Sequence, residues 1–128
     1  MSEVVQVDML VRRICLALPR YAYRFANERD LQDGIAAVLV VEGIRFSREY
    51  VASKEDRFDF LCESGIVIEA KIDGGFADCA RQIQRYCNLD VTQAVIIATS
   101  KMWGRSIRDG VEIAGKPVRL VRIRRQSL

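Results

Sequence analysis

Apolar residues recur along this chain at two different periods. From about residue 3 to 18, Val4, Val7, Leu10, Val11, Ile14 and Leu18 repeat at helical spacing, and Pro19 stops the run. Residues 21–25 alternate aromatic and other side chains and read as a connector. A second helical stripe, Leu31, Ile35, Val38 and Leu39, predicts a helix that starts at the cap Asn27, with Asp30 three positions on, and runs to about Glu42 before Gly43. The period then shortens to two. Residues 45–51, 57–62 and 66–72 read as three strands, the last two joined by a turn at Gly65, and Gly74-Gly75 breaks the pattern. A third helix is expected from about 76 to 88, with Ala80, Ile83 and Cys87 inward. Residues 94–99 are almost wholly apolar, the pattern of a strand covered on both faces, as in a parallel pair. Residues 111–113 and 118–123 read as a hairpin or two edge strands.

The order is therefore ααβββαβ with short β elements at the end. At 128 residues, with half of them hydrophobic and no repeat or linker, the whole chain reads as a single domain, 1–128. No apolar run is long enough to cross a bilayer and no secretory signal is visible. The four cysteines are scattered through expected helices and strands, which reads as free thiols in a reducing cytoplasm. With no histidine and no Cys-x-x-Cys, zinc sites and histidine-based triads are disfavoured. The formal charge of +3 conceals an asymmetry, because the last 28 residues hold eight basic and two acidic side chains while the rest of the chain is net acidic. A polyanion-binding C-terminal segment and a solvated basic edge explain this equally well.

Candidate chemistry concentrates between residues 57 and 71. Glu69 and Lys71 project from one face of an otherwise apolar strand, and Asp59 lies on the strand before it. A carboxylate and an amine on such a strand carry a desolvation cost unless they are used. Together the three could form a divalent-cation site with a lysine beside it. A solvent-facing ion pair on an edge strand would also accommodate Glu69 and Lys71, but the strand that carries them should be central.

A helix, three strands, a helix and a strand, with Asp59 and then Glu69-Ala70-Lys71 ten residues on, resembles the PD-(D/E)XK nuclease superfamily, nearest its RecB-like and Holliday-junction-resolvase-like small nucleases. The likeness covers about residues 27–99, and Phe58 stands where the family has its leading proline. Members often carry a glutamate on the helix before the sheet. Glu28 matches, three residues before Leu31 and seven before Ile35, although a first-turn acid favoured by the helix dipole is an equal reading. The RecB-like branch has Gln-x-x-x-Tyr on the helix after the lysine strand, and Gln82 and Tyr86 fit it.

The resemblance implies an α/β restriction-endonuclease-like αβββαβ core, its mixed central sheet flanked by helices, with an extra N-terminal helix and C-terminal β elements. It implies a phage or prokaryotic DNA repair or processing nuclease that hydrolyses phosphodiester bonds with Mg²⁺ or Mn²⁺, RNA not being excluded as substrate. Asp59, Glu69 and the Ala70 carbonyl would hold the metal, with Glu28 joining directly or through water. Lys71 would serve the attacking water or the transition state, Gln82 would position them, and Tyr86 would support the site. Glu49 is a weaker backup ligand. Arg48, Arg81, Arg85, Arg119, Arg122, Arg124 and Arg125 are the candidates for phosphate contact, with a solvated surface as the alternative for each. Trp103 would wedge against a base or a second subunit, or simply pack. So small a domain would cut with little sequence specificity or work with a partner, a homodimer being one arrangement. The competing reading is a non-catalytic nucleic-acid-binding or scaffold protein on the same fold.

Overall fold

The computed structural model describes residues 2–103, 107 and 110–126. Its helices form where the 3.6-residue stripes lie. Helix α1 spans Glu3–Ala17 and starts at Ser2, whose side chain accepts the Val5 amide; Pro19 then closes it in a 3₁₀ turn. Helix α2 spans Glu28–Val41. Asn27 accepts the Asp30 amide at 2.8 Å, and the Asp30 carboxylate accepts the Ala26 N–H at 2.9 Å, so the reciprocal cap closes on the residue before Asn27. Helix α3 spans Phe76–Cys87 and follows Gly75 with no side-chain cap.

The strands are β1 Ala22–Tyr23, β2 Phe46–Val51, β3 Arg57–Cys62, β4 Ile66–Lys71, β5 Ala94–Thr99, β6 Glu112–Ile113, β7 Lys116–Arg122 and β8 Arg124–Arg125. Six of them build one mixed sheet in the order β2-β3-β4-β5-β7-β6. β2, β3 and β4 run antiparallel, β4, β5 and β7 run parallel, and β6 returns antiparallel on β7. A parallel pair needs a crossover, and α3 supplies it between β4 and β5. β1 and β8 form a separate two-stranded parallel ribbon.

Alternation along the central strands fills two cores. Ile66, Ile68 and Ala70 of β4 and Ala94, Ile96 and Ala98 of β5 face α1 and α2, whereas Val67, Val95 and Ile97 face Ile83, Tyr86 and Cys87 of α3. The inward stripe of α3 includes Cys79, while Ala80 is only half-buried, one position round from the expected stripe. At the C-terminal end the expected hairpin forms, β6 antiparallel on β7, but the two are not both edge strands. β7 lies inside the sheet beside β5 because Val118 and Val121 are buried on opposite faces, and only the two-residue β6 flanks it. All four cysteines are free. Among the described residues no helix is long and apolar enough to cross a membrane.

The β3–β4 connection is the tightest point of the sheet. Ser64 and Gly65 both take positive φ, 62° and 76°. A Cβ on Gly65 would lie 2.7 Å from the Val91 carbonyl oxygen, in the loop that leads to β5. Gly65→Ala should therefore lower stability by about 2 kcal/mol in urea unfolding, from left-handed strain and a backbone clash together. Gly74→Ala, at a positive φ with open space around it, should cost about half as much.

Candidate active site

The β3–β4 ladder stops before the two strands end. Phe60 and Ile68 are the last paired residues, and the next two, Asp59 and Glu69, stand opposite each other without a backbone bridge. Their side chains take over. The Asp59 N–H donates to Glu69 Oε1 at 2.9 Å, and the Ala70 N–H donates to Asp59 Oδ2 at 2.8 Å. Each carboxylate thus satisfies a backbone donor on the other strand where the two strands part.

Asp59 reaches this position because β3 turns over at it. Phe60 packs toward α1 and α2 but Phe58 packs toward α3, although residues two apart on a regular strand share a face. The neighbouring strand carries the matching distortion. Arg48 pairs with Phe60 and Tyr50 with Phe58, while Glu49 between them adopts φ 51°. Holding a non-glycine residue there costs on the order of 1–3 kcal/mol. Tyr86 fastens the segment from the other side: its hydroxyl donates to the Arg57 carbonyl at 2.8 Å and Phe58 meets its ring edge-on at 4.7 Å. Tyr86 is therefore a buried brace, and the distortion at Glu49 has no signature in the sequence.

Lys71, two residues beyond Glu69 on the same face of β4, places Nζ 3.8 Å from Glu69 Oε2. Glu28 comes from the first turn of α2 and its Oε2 accepts the Ile72 N–H at 3.5 Å, at the end of the same strand. Gln82 and Cys79 from α3 line one cavity of about 400 Å³ with Lys71, Gly74 and Gly75. The site thus sits at the C-terminal end of β4, under the start of α3, where the sheet changes from antiparallel to parallel. Crevices at such ends are the usual ligand positions of α/β sheets.

The electrostatics are those of two crowded acids. Glu69 is 2% exposed, and burial, then the Asp59 charge, push its carboxyl from 4.5 up to about 8; the Asp59 amide and Lys71 pull the other way. Asp59 is also raised, by burial first and by Glu28, against the Ala70 amide and Lys71. The two carboxyls are close enough to share a proton. Among the described residues Glu69 Oε2 accepts no hydrogen bond and faces the Lys71 ammonium at 3.8 Å.

Among the described residues no group of three or more acidic, cysteine or histidine side chains converges closely enough to hold a metal ion. Asp59 and Glu69 spend one oxygen each on a backbone amide, and Glu28 turns to Ile72. The donor set nevertheless suits a hard divalent cation. It offers a buried carboxylate, Glu69, beside a half-buried one, Asp59, each with a second oxygen free of backbone bonds, and a positive charge there would relieve their mutual repulsion.

Of the expected phosphate-contact arginines, Arg81 and Arg85 line the same cavity as Lys71 and Gln82, and the others scatter. Arg48 pairs with Asp33 at 2.9 Å and lies 5.7 Å from the Phe60 ring centroid. Arg81 pairs with Asp78, and Arg85 pairs with Asp56 at 3.1 Å, joining α3 to the turn between β2 and β3. Arg119 donates to the Val111 and Val118 carbonyls. Arg124 reaches the Pro19 carbonyl at 3.5 Å and Arg125 covers Phe25, both on the separate ribbon. Only Arg122 of the C-terminal set falls in line with the site, in register through Thr99 with Lys71. Trp103 packs edge-to-face on Phe76 at 5.7 Å, beside the start of α3. Glu49 is exposed, and its contribution to the site comes through its backbone.

No family model matches the chain, and comparison with curated proteins and with solved structures returned no significant match.

Two outcomes follow from this geometry. Both acids bind protons more tightly folded than unfolded, so in metal-free buffer stability should be greatest near the ordinary carboxylate range and fall as pH rises through about 8. Glu69→Gln should flatten that slope, as read from urea midpoints across the window. At position 49, Glu49→Gly should keep or raise stability, whereas Glu49→Val should lower it by about 2 kcal/mol, because a β-branched residue resists positive φ.

Proposed function

We propose that this protein is a divalent-metal-dependent nuclease of the PD-(D/E)XK type, nearest the RecB-like and junction-resolvase-like branch, which hydrolyses DNA phosphodiester bonds. The observation that carries this reading is the crossed pairing of Asp59 and Glu69 with each other's strand, with the Lys71 ammonium 3.8 Å from Glu69. Asp59, Glu69 and the Ala70 carbonyl would hold Mg²⁺ or Mn²⁺, and Glu28, which acts electrostatically on Asp59, would complete the set. Bound there, the cation supplies Lewis-acid polarisation of the phosphate and a lowered pKa for an attacking water.

The chain's own groups do the rest. Lys71 lines the cavity, where its ammonium would orient the water or offset charge on the pentacovalent phosphorus. Gln82, on the α3 wall of that cavity, would hold the water or Lys71 in place by hydrogen bonding. The start of α3 at Gly75 presents backbone amides without a side-chain cap, which suits a phosphate oxygen. Arg122 would meet the next stretch of backbone along the strand ends.

A scaffold or binding role has its own support in the backbone bonds that already occupy Asp59 Oδ2 and Glu69 Oε1, since such a brace needs no cation. The two readings separate on incubation with supercoiled, linear, single-stranded and four-way-junction DNA, and with RNA, in Mg²⁺ or Mn²⁺. The nuclease reading expects metal-dependent cleavage of DNA by the wild type. It expects losses of about a hundredfold or more in Lys71→Ala and Asp59→Asn. Mn²⁺ should raise the melting temperature of the wild type and not that of Asp59→Asn. Equal activity in all three proteins would mean a contaminant or a different site, and no cleavage with no thermal shift in the wild type would leave the scaffold reading standing.

A further inference from the structure

Helix α1 carries a second apolar stripe that the fold does not use. Val7, Val11 and Ile14 face the core, but Val5 is 45%, Met9 56% and Leu16 64% exposed. With Arg12 these positions recur at spacings of four, three and four, the seam of a two-helix pair. They line a shallow groove of about 450 Å³ on the outer side of the helix, together with Asp8 and Arg13. Arg13 is already held within the chain by Glu42. Asp8 and Arg12 have no ion-pair partner among the described residues.

The sequence of this stripe is self-complementary about a point midway between Met9 and Arg12. We propose that α1 packs antiparallel on α1 of a second copy of this chain, across a twofold axis at that point. An isologous contact of this kind sets Val5 against the other copy's Leu16 and Met9 against the other copy's Arg12 stem. The Arg12 guanidinium then lies one helical step from the other copy's Asp8, on the same edge of the seam, and the contact repeats by symmetry. A parallel pairing would instead stack Arg12 on Arg12 in the seam and send the two Asp8 carboxylates to opposite edges, away from both. Charge thus selects the antiparallel arrangement and a like partner. Helix α1 lies on the face of the sheet opposite α3, so the two Asp59–Glu69 sites would face outward and away from each other. This pairing does not depend on the nuclease reading.

The test is sedimentation equilibrium of the full chain over a micromolar concentration series, with circular dichroism confirming that each variant is folded. The wild type should be a reversible dimer, and Leu16→Glu should weaken association at least tenfold, which corresponds to about 1.4 kcal/mol. Asp8→Arg and Arg12→Asp should each weaken it, and the two changes combined should recover most of the loss, because the swapped charges face each other again across the axis. A wild type that stays monomeric, a dimer indifferent to Leu16→Glu, or a double swap no better than its single variants would overturn the proposal.

Discussion

Two carboxylates reach across the gap between β3 and β4 and finish each other's hydrogen-bond ladder. Much of the architecture around the site serves that exchange. The strands must stay paired up to Phe60 and Ile68 and then part, because a continued ladder would leave no backbone amide for Asp59 or Glu69 to accept. They must also be buried, because in water the same acids would be solvated separately and would not be pushed upward together. The α3 crossover provides the burial, and it brings the uncapped helix start and Gln82 to the same end of β4 as Lys71.

The cost of that arrangement is distributed. Part lies in the left-handed backbone of Glu49, which lets β3 turn over at Asp59. Part lies in the two acids themselves, which repel each other in a site that Lys71 and two amides partly neutralise. The compensation is local and apolar. Phe58, Tyr86 and Tyr50 stack into one aromatic cluster beneath the distortion, and Asp56 with Arg85 ties the β2–β3 turn to α3. A site built against its own electrostatics but braced by surrounding packing has the usual character of a functional site, and a cation is the simplest species that would turn the repulsion into attraction.

Much of this was legible in the residues. The helical stripes, the Asn27 cap, the Gly65 turn and the unbroken apolar run of β5 each follow from periodicity and turn chemistry, and the structure forms those elements within a residue or two of where they are expected. Asp59, Glu69 and Lys71 stood out because charge on a central strand is conspicuous. What stayed hidden depends on contacts distant in sequence. The pairing of β7 with β5, the Asp56–Arg85 bond across 29 residues and the commitment of Arg48 to Asp33 leave no local pattern. The same is true of Glu49, whose residue type argues against the conformation it adopts. The basic C-terminal segment reads as one surface in sequence. It divides in space because β7 alternates faces and β8 leaves the sheet.

The central claim is that the Asp59–Glu69 pair is a cation site rather than a brace alone. The most direct measurement is Mn²⁺ binding followed by electron paramagnetic resonance, where the signal of free Mn²⁺ falls as the ion is taken up. The account predicts saturable uptake by the wild type that weakens as pH is lowered through about 8, where Glu69 takes up its proton, and that Glu69→Gln abolishes. Uptake indistinguishable between the two proteins, or none in either, would contradict it.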